Sequence, residues 1–394
     1  MLMKFQVAKS DLLDALQTVS GSMASGEGDI TSHFLFRMSP SNPAQVEVLT
    51  ACQRVFSSCP VKAAVLSEGE AFTVEGWRVK KWLGVIGDTA VTIENTAGGD
   101  VRFDAGTYVQ TFHSLDPQNF NLWDKTFAKA VSKGTLPAHR LASALKSGKL
   151  FASKDETNMP EAVVVDVRNG LLTAMDKRSV VVFFKVTGLE QSSLRIHTKD
   201  VPVLTGFLSS IEGDVEILEN ERNLFLKRAA DGAVYGETRF QVDYPNLSPP
   251  SNEDQRTWTV SVDGLRRAIL SNQCGASKDD NRLYLSLPDE DGPLLVSMKN
   301  ENGKTTAISV PCDAVLNVAD AADLPKEGFP VSCSHMLDIL ELVGSAAGSM
   351  ITLGVNVNPA KKHRYIRVVR TLFAEEVGNA EGDQYVYVLA GMMW

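Results

Sequence analysis

The chain has 394 residues, a net charge of −9, 44% hydrophobic residues and 22% charged residues, the profile of a globular protein of two to three domains. The acidic total argues against a protein coated in positive charge for nucleic acid, and no run of about 18 apolar residues indicates a membrane span. Five scattered cysteines with no CxxC pair read as reduced thiols in a cytoplasmic protein, with neither a disulfide framework nor a zinc site.

Lys4 to Ala8 alternates as a first strand, with no signal-peptide core before it. Ser10 suits an N-cap and Asp11 to Val19 an amphipathic helix stopped near Gly21. Strands are predicted at Phe34 to Met38, Ala44 to Thr50 and Phe56 to Val61, then a second helix at Trp77 to Ile86 and strands at Ala90 to Asn95, Val101 to Asp104 and Thr107 to Thr111. The middle of the chain repeats this order. Lys133 to Leu136 is a strand, and Pro137 suits the first turn of a helix reaching about Ser147. Strands Ala162 to Arg168, Gly170 to Met175 and Val180 to Thr187 follow, then a helix at Val201 to Ile211 and a strand at Val215 to Glu219. The last third opens with strand Thr257 to Val262 and helix Asp263 to Ser271. It continues with strands Leu283 to Leu287, Leu294 to Met298 and Thr305 to Val310, helix Ser334 to Val343, and a β-run from Ser349 to Val355. Between Val355 and Tyr387 extra residues are expected to form an exposed hairpin or loop.

A signature marks the three copies. Leu12-x-x-Ala15-Leu16 returns as Leu141-x-x-Ala144-Leu145 and as Leu265-x-x-Ala268-Ile269, 129 and 124 residues apart. Those offsets are too long for solenoid units of ~20 to 50 residues and close to a small domain. A second element keeps the period, an apolar helix end, a glycine stop and a β-run, at Leu83 to Asn95, Leu208 to Glu219 and Leu340 to Val355. Turn-rich stretches at Asp116 to Asn121 and Pro245 to Asn252 place the boundaries, giving domains 1–127, 128–255 and 256–394. Two helices and many strands in each imply an α+β fold with antiparallel sheet.

Catalytic and cofactor motifs are missing: no GxxxxGK[ST], HExxH, GxSxG or post-strand GxGxxG occurs, and no two of the six histidines stand at metal-ligand spacing. No enzyme, metal or cofactor is predicted. Charge is unevenly spread. The six helical segments 8–23, 76–88, 136–153, 197–213, 261–277 and 332–348 hold ten Lys/Arg against eight Asp/Glu, and segment 136–153 has no acid at all. An acidic body with a mildly basic helical surface suits a polyanion; solvated helix faces are the plain alternative.

The residues resemble those of the bacterial sliding clamp, the β subunit of the replicative DNA polymerase, along the whole chain. The resemblance rests on Met3 to Val7 with Asp11-Leu12-Leu13, on Phe240 to Leu247, on Arg267 to Asn272 with Arg282 to Ser286, and on the tail Tyr387 to Trp394. It implies a clamp-type homodimeric ring around double-stranded DNA, helices inside, working with a DNA polymerase and a clamp loader. The implied channel residues are Arg78, Lys80, Lys81, Arg140, Lys146, Lys149, Lys154, Lys199, Arg266 and Arg267. The implied partner-peptide pocket is built from Asp176, Lys177, Arg178 and Val180, from Tyr244, Pro245, Asn246 and Leu247, from His335, and from Val388, Leu389, Ala390, Gly391, Met392 and Met393. At the dimer interface Tyr108 of one subunit is expected against Ile269 and Leu270 of the other, although those two apolar residues equally suit a core. The family's Thr-Asp-Gly-His-Arg-Leu loop is Met175 to Val180 here and its Met-Pro-Met tail is Ala390-Gly391-Met392, so a different preferred peptide is expected. A clamp-like scaffold that binds partner peptides without encircling DNA is the alternative.

Overall fold

A computed structural model of the chain describes residues 2–24, 29–176, 180–210, 212–247, 256–277, 281–286, 292–317, 328–343, 349–358, 363–371 and 384–390. Strand β1 (Lys4–Ala8) feeds helix α1 (Lys9–Ser20), followed by β2 (His33–Met38), β3 (Val46–Ala51), β4 (Val55–Val61), β5 (Ala63–Ser67) and β6 (Phe72–Glu75). Helix α2 (Gly76–Val85) then leads to β7 (Ala90–Asn95), β8 (Asp100–Ala105) and β9 (Tyr108–His113), and a single turn, α3 (Asp124–Phe127), lies in the connection. The order returns with β10 (Val131–Pro137), α4 (Ala138–Phe151), β11 (Val164–Arg168), β12 (Leu171–Met175), β13 (Val180–Lys185), β14 (Ser193–His197), α5 (Val201–Ser209), β15 (Asp214–Glu219), β16 (Asn223–Arg228) and β17 (Val234–Thr238). It returns again with β18 (Arg256–Ser261), α6 (Val262–Gln273), β19 (Arg282–Ser286), β20 (Leu294–Lys299), β21 (Thr305–Val310), β22 (Cys312–Asn317), β23 (Phe329–Ser332), α7 (Cys333–Val343), β24 (Met350–Asn358), β25 (His363–Thr371) and β26 (Gln384–Ala390).

The pairing repeats as well as the order. In each round the opening strand pairs antiparallel with the strand that follows the second long helix: β1 with β7, β10 with β15, β18 with β24. The two strands after that continue the sheet; most strands between the helices belong to another sheet, while β5 and β22 flank the opening strands β1 and β18 on their other sides. The fold is therefore α+β with antiparallel sheets. The chain packs as two compact units, residues 1–143, 188–194 and 199–240 in one and 144–187, 195–198 and 241–394 in the other. The first unit carries a five-stranded sheet ordered β5-β1-β7-β8-β9 and an eight-stranded sheet ordered β10-β15-β16-β17-β4-β3-β2-β6. The second carries a nine-stranded sheet ordered β14-β11-β12-β13-β26-β25-β24-β18-β22 and a four-stranded sheet ordered β21-β20-β19-β23.

Both long sheets contain the same kind of join between successive rounds. The last strand of the second round, β17, pairs with β4 of the first, Glu237 opposite Val55. The last strand of the third, β26, pairs with β13 of the second, Leu389 opposite Val180. Two strands of the same kinds are left at sheet edges: β9, last of the first round, and β21, third of the inter-helix strands of the last. Both are largely exposed, and neither carries Lys, Arg, Asp or Glu, the charges that commonly block edge-to-edge pairing.

The Leu-x-x-Ala-Leu signature is a core device. Leu12, Ala15 and Leu16 on α1, Leu141, Ala144 and Leu145 on α4, and Leu265, Ala268 and Ile269 on α6 are all at most 4% exposed. Positions i, i+3 and i+4 share one helix face, so one short motif seats each helix on its sheet. On α4 the approach is tight, since a Cβ at Gly148 would lie 2.9 Å from a Val165 methyl. Gly134 has φ +153° beside a register shift in β10, and a Cβ there would come within 2.1 Å of the Gly188 carbonyl oxygen.

Three expectations need correction or extension. Pro137 closes β10 opposite Asp214 instead of opening the helix, which begins at Ala138. The segment between Val355 and Tyr387 supplies a central strand as well as the expected hairpin: β25 pairs with β24 from Thr352–Val369 to Asn358–His363 and with β26 on its other side. Glu375 to Asp383 and 359–362 lie outside the described residues. Strands β5, β6, β14, β16, β17, β22 and β23 are not among the predicted ones; of these, β5 is mostly exposed and β23 contains Pro330, so those two lack the alternating apolar signal of a half-buried strand.

Candidate functional site

One face of each helix is committed to its sheet, and the basic residues lie on the other faces or beside them. On α2 the buried face is Gly76, Val79 and Leu83, and Trp77, Arg78 and Lys81 are exposed. Arg78 forms an ion pair with Glu75 at 2.5 Å and lies over the Trp77 ring at 5.3 Å, with the Lys81 ammonium over the same ring at 5.9 Å. Lys80 differs. It is half-buried over Phe34, and burial lowers its pKa. On α4, Lys146 and Lys149 are exposed and Arg140 is half-buried. Lys154 follows α4 in an exposed bend, and Lys199 lies exposed before α5. Lys154 and His335 both draw the Asp338 carboxyl down, against the larger upward push of burial. On α6, Arg266 and Arg267 are exposed, the second donating from Nε to the Asp263 carbonyl at 3.2 Å.

The predicted interface residues separate. Tyr108 is 52% exposed on edge strand β9 and Leu270 is 44% exposed, whereas Ile269 is fully buried in the core formed with Leu265, Val296 and Leu340 and offers no surface.

The predicted pocket residues belong to the second unit, and several come together there. Asp176 closes a turn: its backbone N–H donates to the Val180 carbonyl at 3.2 Å and its Oδ1 accepts from the Val180 N–H at 2.9 Å. Its other oxygen faces His335 Nε2 at 3.8 Å, and the His335 ring lies 6.2 Å from that of Phe151. Val180 stands opposite Leu389, and Val181 opposite Val388, so β26 is at the same turn; Ala390 pairs with Tyr365. Tyr244 is buried with its phenol pushed up to about 12 by burial, while Pro245 and Asn246 are exposed and Leu247 is half-buried. Lys177, Arg178, Gly391, Met392 and Met393 lie outside the described residues. Sequence reasoning missed Phe151 here and also Arg168, whose guanidinium stacks over the Tyr244 ring at 5.7 Å.

A separate cavity of about 450 Å³ in the first unit is lined by Asp11, Asp14 and Thr18 of α1, Lys62, and Arg228 ion-paired to Asp231. None of the predicted site residues lines it.

No family model matches the sequence, and no curated protein matches it. In three dimensions the result is different. The DNA polymerase sliding clamp of Bacillus subtilis aligns over 100% of both chains with a TM-score of 0.75 at 16% identity. The fold is that of a sliding clamp. The β sliding clamp of C. crescentus gives 0.76 at 13% identity over 100% of this chain and 99% of its own. The DNA polymerase III β subunit of Thermotoga maritima gives 0.73 at 17% identity over 100% of both. Such identities carry the clamp architecture and no residue-level role, so each candidate side chain stands on its own geometry. The clamp fold also accounts for the threefold return of the strand–helix order, which the sequence signature alone had indicated.

Proposed function

We propose that the chain is a DNA polymerase processivity factor, a non-enzymatic clamp built of three repeats (1–127, 128–255 and 256–394), two copies of which close head to tail around duplex DNA. The observation that carries this reading is the pair of joins β17·β4 and β26·β13 together with the uncharged strands β9 and β21, each of which has one edge with no partner strand among the described residues. An intermolecular β9·β21 pairing would repeat, between copies, the junction made twice within one chain. Head-to-tail contacts form a closed assembly or an open filament, and the clamp fold favours closure. Tyr108 lies on the β9 edge, and Leu270 is the exposed member of the expected α6 pair.

The mechanism is topological. A ring that encloses DNA needs only weak, sequence-independent attraction to phosphates, because tight contacts would brake sliding. Arg78, Lys81, Lys146, Lys149, Lys154, Lys199, Arg266 and Arg267 are exposed candidates for that role, with half-buried Lys80 and Arg140 contributing from farther back. Tethering falls to the pocket around Asp176, Val180, Tyr244, His335 and β26, where an extended peptide with a leucine or aromatic anchor from polymerase or clamp loader would dock.

The test is retention on DNA. Loaded protein should stay on nicked circular DNA and run off after linearisation, and Arg78→Glu, Lys81→Glu, Lys146→Glu and Lys149→Glu combined should abolish retention and processive synthesis. Equal loss from circular and linear DNA by a protein of monomer mass would refute the ring and favour a peptide-binding scaffold.

A further inference from the structure

The stretch from Gln241 to Leu247, beyond β17, lies in no strand and carries the Tyr244 to Leu247 wall of the proposed pocket. Backbone carbonyls need donors, and here two of them are met by arginines from the sheet. Arg195, on β14, donates from a terminal nitrogen to the Val242 carbonyl at 2.6 Å. Arg168, at the end of β11, donates to the Tyr244 carbonyl at 3.0 Å and stacks on the Tyr244 ring. Both guanidiniums turn their Nε toward the same acid: Arg195 donates to Asp166 Oδ1 at 3.1 Å, and Arg168 Nε lies 2.8 Å from Oδ2. Asp166 is 3% exposed. A buried carboxylate that accepts a hydrogen bond from Arg195 on one oxygen and is ion-paired with Arg168 on the other restrains two flexible side chains, whose terminal nitrogens point at carbonyls two residues apart.

The first round contains a related device. Arg37, on β2, the counterpart of β11 in strand order, is held by Glu47 of β3 and forms a bidentate pair with Asp124 of the connecting stretch at 2.6 and 2.7 Å. There the connection supplies a carboxylate; after the second round it supplies carbonyls. In both, an arginine braced by an acid on the sheet grips the chain on its way to the next round.

We propose that Asp166 is a positioning residue for partner-peptide binding: it aims Arg168 and Arg195 at the 242–244 backbone and so fixes the wall formed by Tyr244 to Leu247. This rests on the pocket reading and adds residues that contact no peptide. The test uses the full chain with Arg195→Ala, Arg195→Lys and Asp166→Asn, read by hydrogen exchange of the 241–247 amides and by fluorescence polarisation of a labelled ten-residue peptide carrying one leucine and one phenylalanine anchor. Arg195→Ala and Asp166→Asn should speed exchange in 241–247 while β12 and β13 stay protected, and weaken peptide binding roughly tenfold, the scale of one charged hydrogen bond. Arg195→Lys, which keeps a charged donor, should recover part of both. Unchanged exchange in 241–247 would overturn the proposal, and so would faster exchange with an unchanged Kd. Failure of the unaltered protein to bind the peptide would overturn the pocket reading as well, and would be seen before any variant is made.

Discussion

Glu237 allows a quantitative test of the β17·β4 join. It is 3% exposed, stands opposite Val55 across the join, and accepts the Tyr235 hydroxyl at Oε2 at 2.8 Å. Burial first, and then the neighbouring Asp200 carboxylate, push its pKa up to about 8, with Tyr235 and Arg54 pulling the other way. In the unfolded chain the group returns to 4.5, so between those values the folded protein holds a proton that the unfolded chain releases. Stability therefore falls as pH rises through this window and levels off above it. For one group with these two values, raising the pH from about 6 to about 9 removes about 2 to 3 kcal/mol. Glu237→Gln keeps an acceptor for Tyr235 without the titration, so its advantage over the unaltered protein should grow by that amount over the same range. Urea unfolding followed by tryptophan fluorescence measures it, since Trp123 packs on Phe56 of β4 and Phe225 of β16 at 6.0 and 6.1 Å. Parallel pH profiles for the two proteins would refute the buried-acid argument.

Val109→Lys, which puts a charge on edge strand β9, should shift the solution mass toward monomer at micromolar concentration without changing the circular dichroism spectrum; an unchanged mass would remove β9 from the interface. Leu16→Ala, at a fully buried position on α1, should cost about 2 to 5 kcal/mol in denaturant unfolding, and Leu145→Ala and Leu265→Ala should fall in the same range. Gly134→Ala forces a Cβ onto the Gly188 carbonyl at an unfavourable φ and should destabilise by about 1 to 3 kcal/mol, measured by thermal melting. Arg266→Ala and Arg267→Ala should each reduce the salt dependence of DNA association by about one counterion, whereas Ile269→Ala should act on stability alone.

The repeated helices were legible because a core-facing helix writes its contacts locally: Leu141, Ala144 and Leu145 are neighbours in sequence and on one face. The joins were not. Glu237 meets Val55 across more than one full round of the chain, and nothing in either strand's sequence names the other. The same distance hid the grip on the 242–244 stretch, because Asp166, Arg195 and Tyr244 become neighbours only when β11 and β14 are paired. Charge was legible as composition but not as exposure: Lys80 and Lys81 are adjacent in sequence, and only the second is free of the sheet side of α2. Ile269 shows the converse, since an apolar residue beside an exposed leucine reads as surface or core until the helix phase is known.

The uncharged edges bear on how a closed assembly would be opened. The β17·β4 and β26·β13 junctions are each covalently tethered by the chain that continues between rounds, which holds their strands at high effective concentration whatever the protein concentration. A β9·β21 seam between copies has no tether. Dilution would act on that seam alone, and so would any factor that pries strands apart. The lifetime of the enclosed state should therefore be set by one short pair of uncharged strands per seam, with the internal junctions outlasting it, and a peptide cross-link from the end of one copy to the start of the next should abolish the concentration dependence.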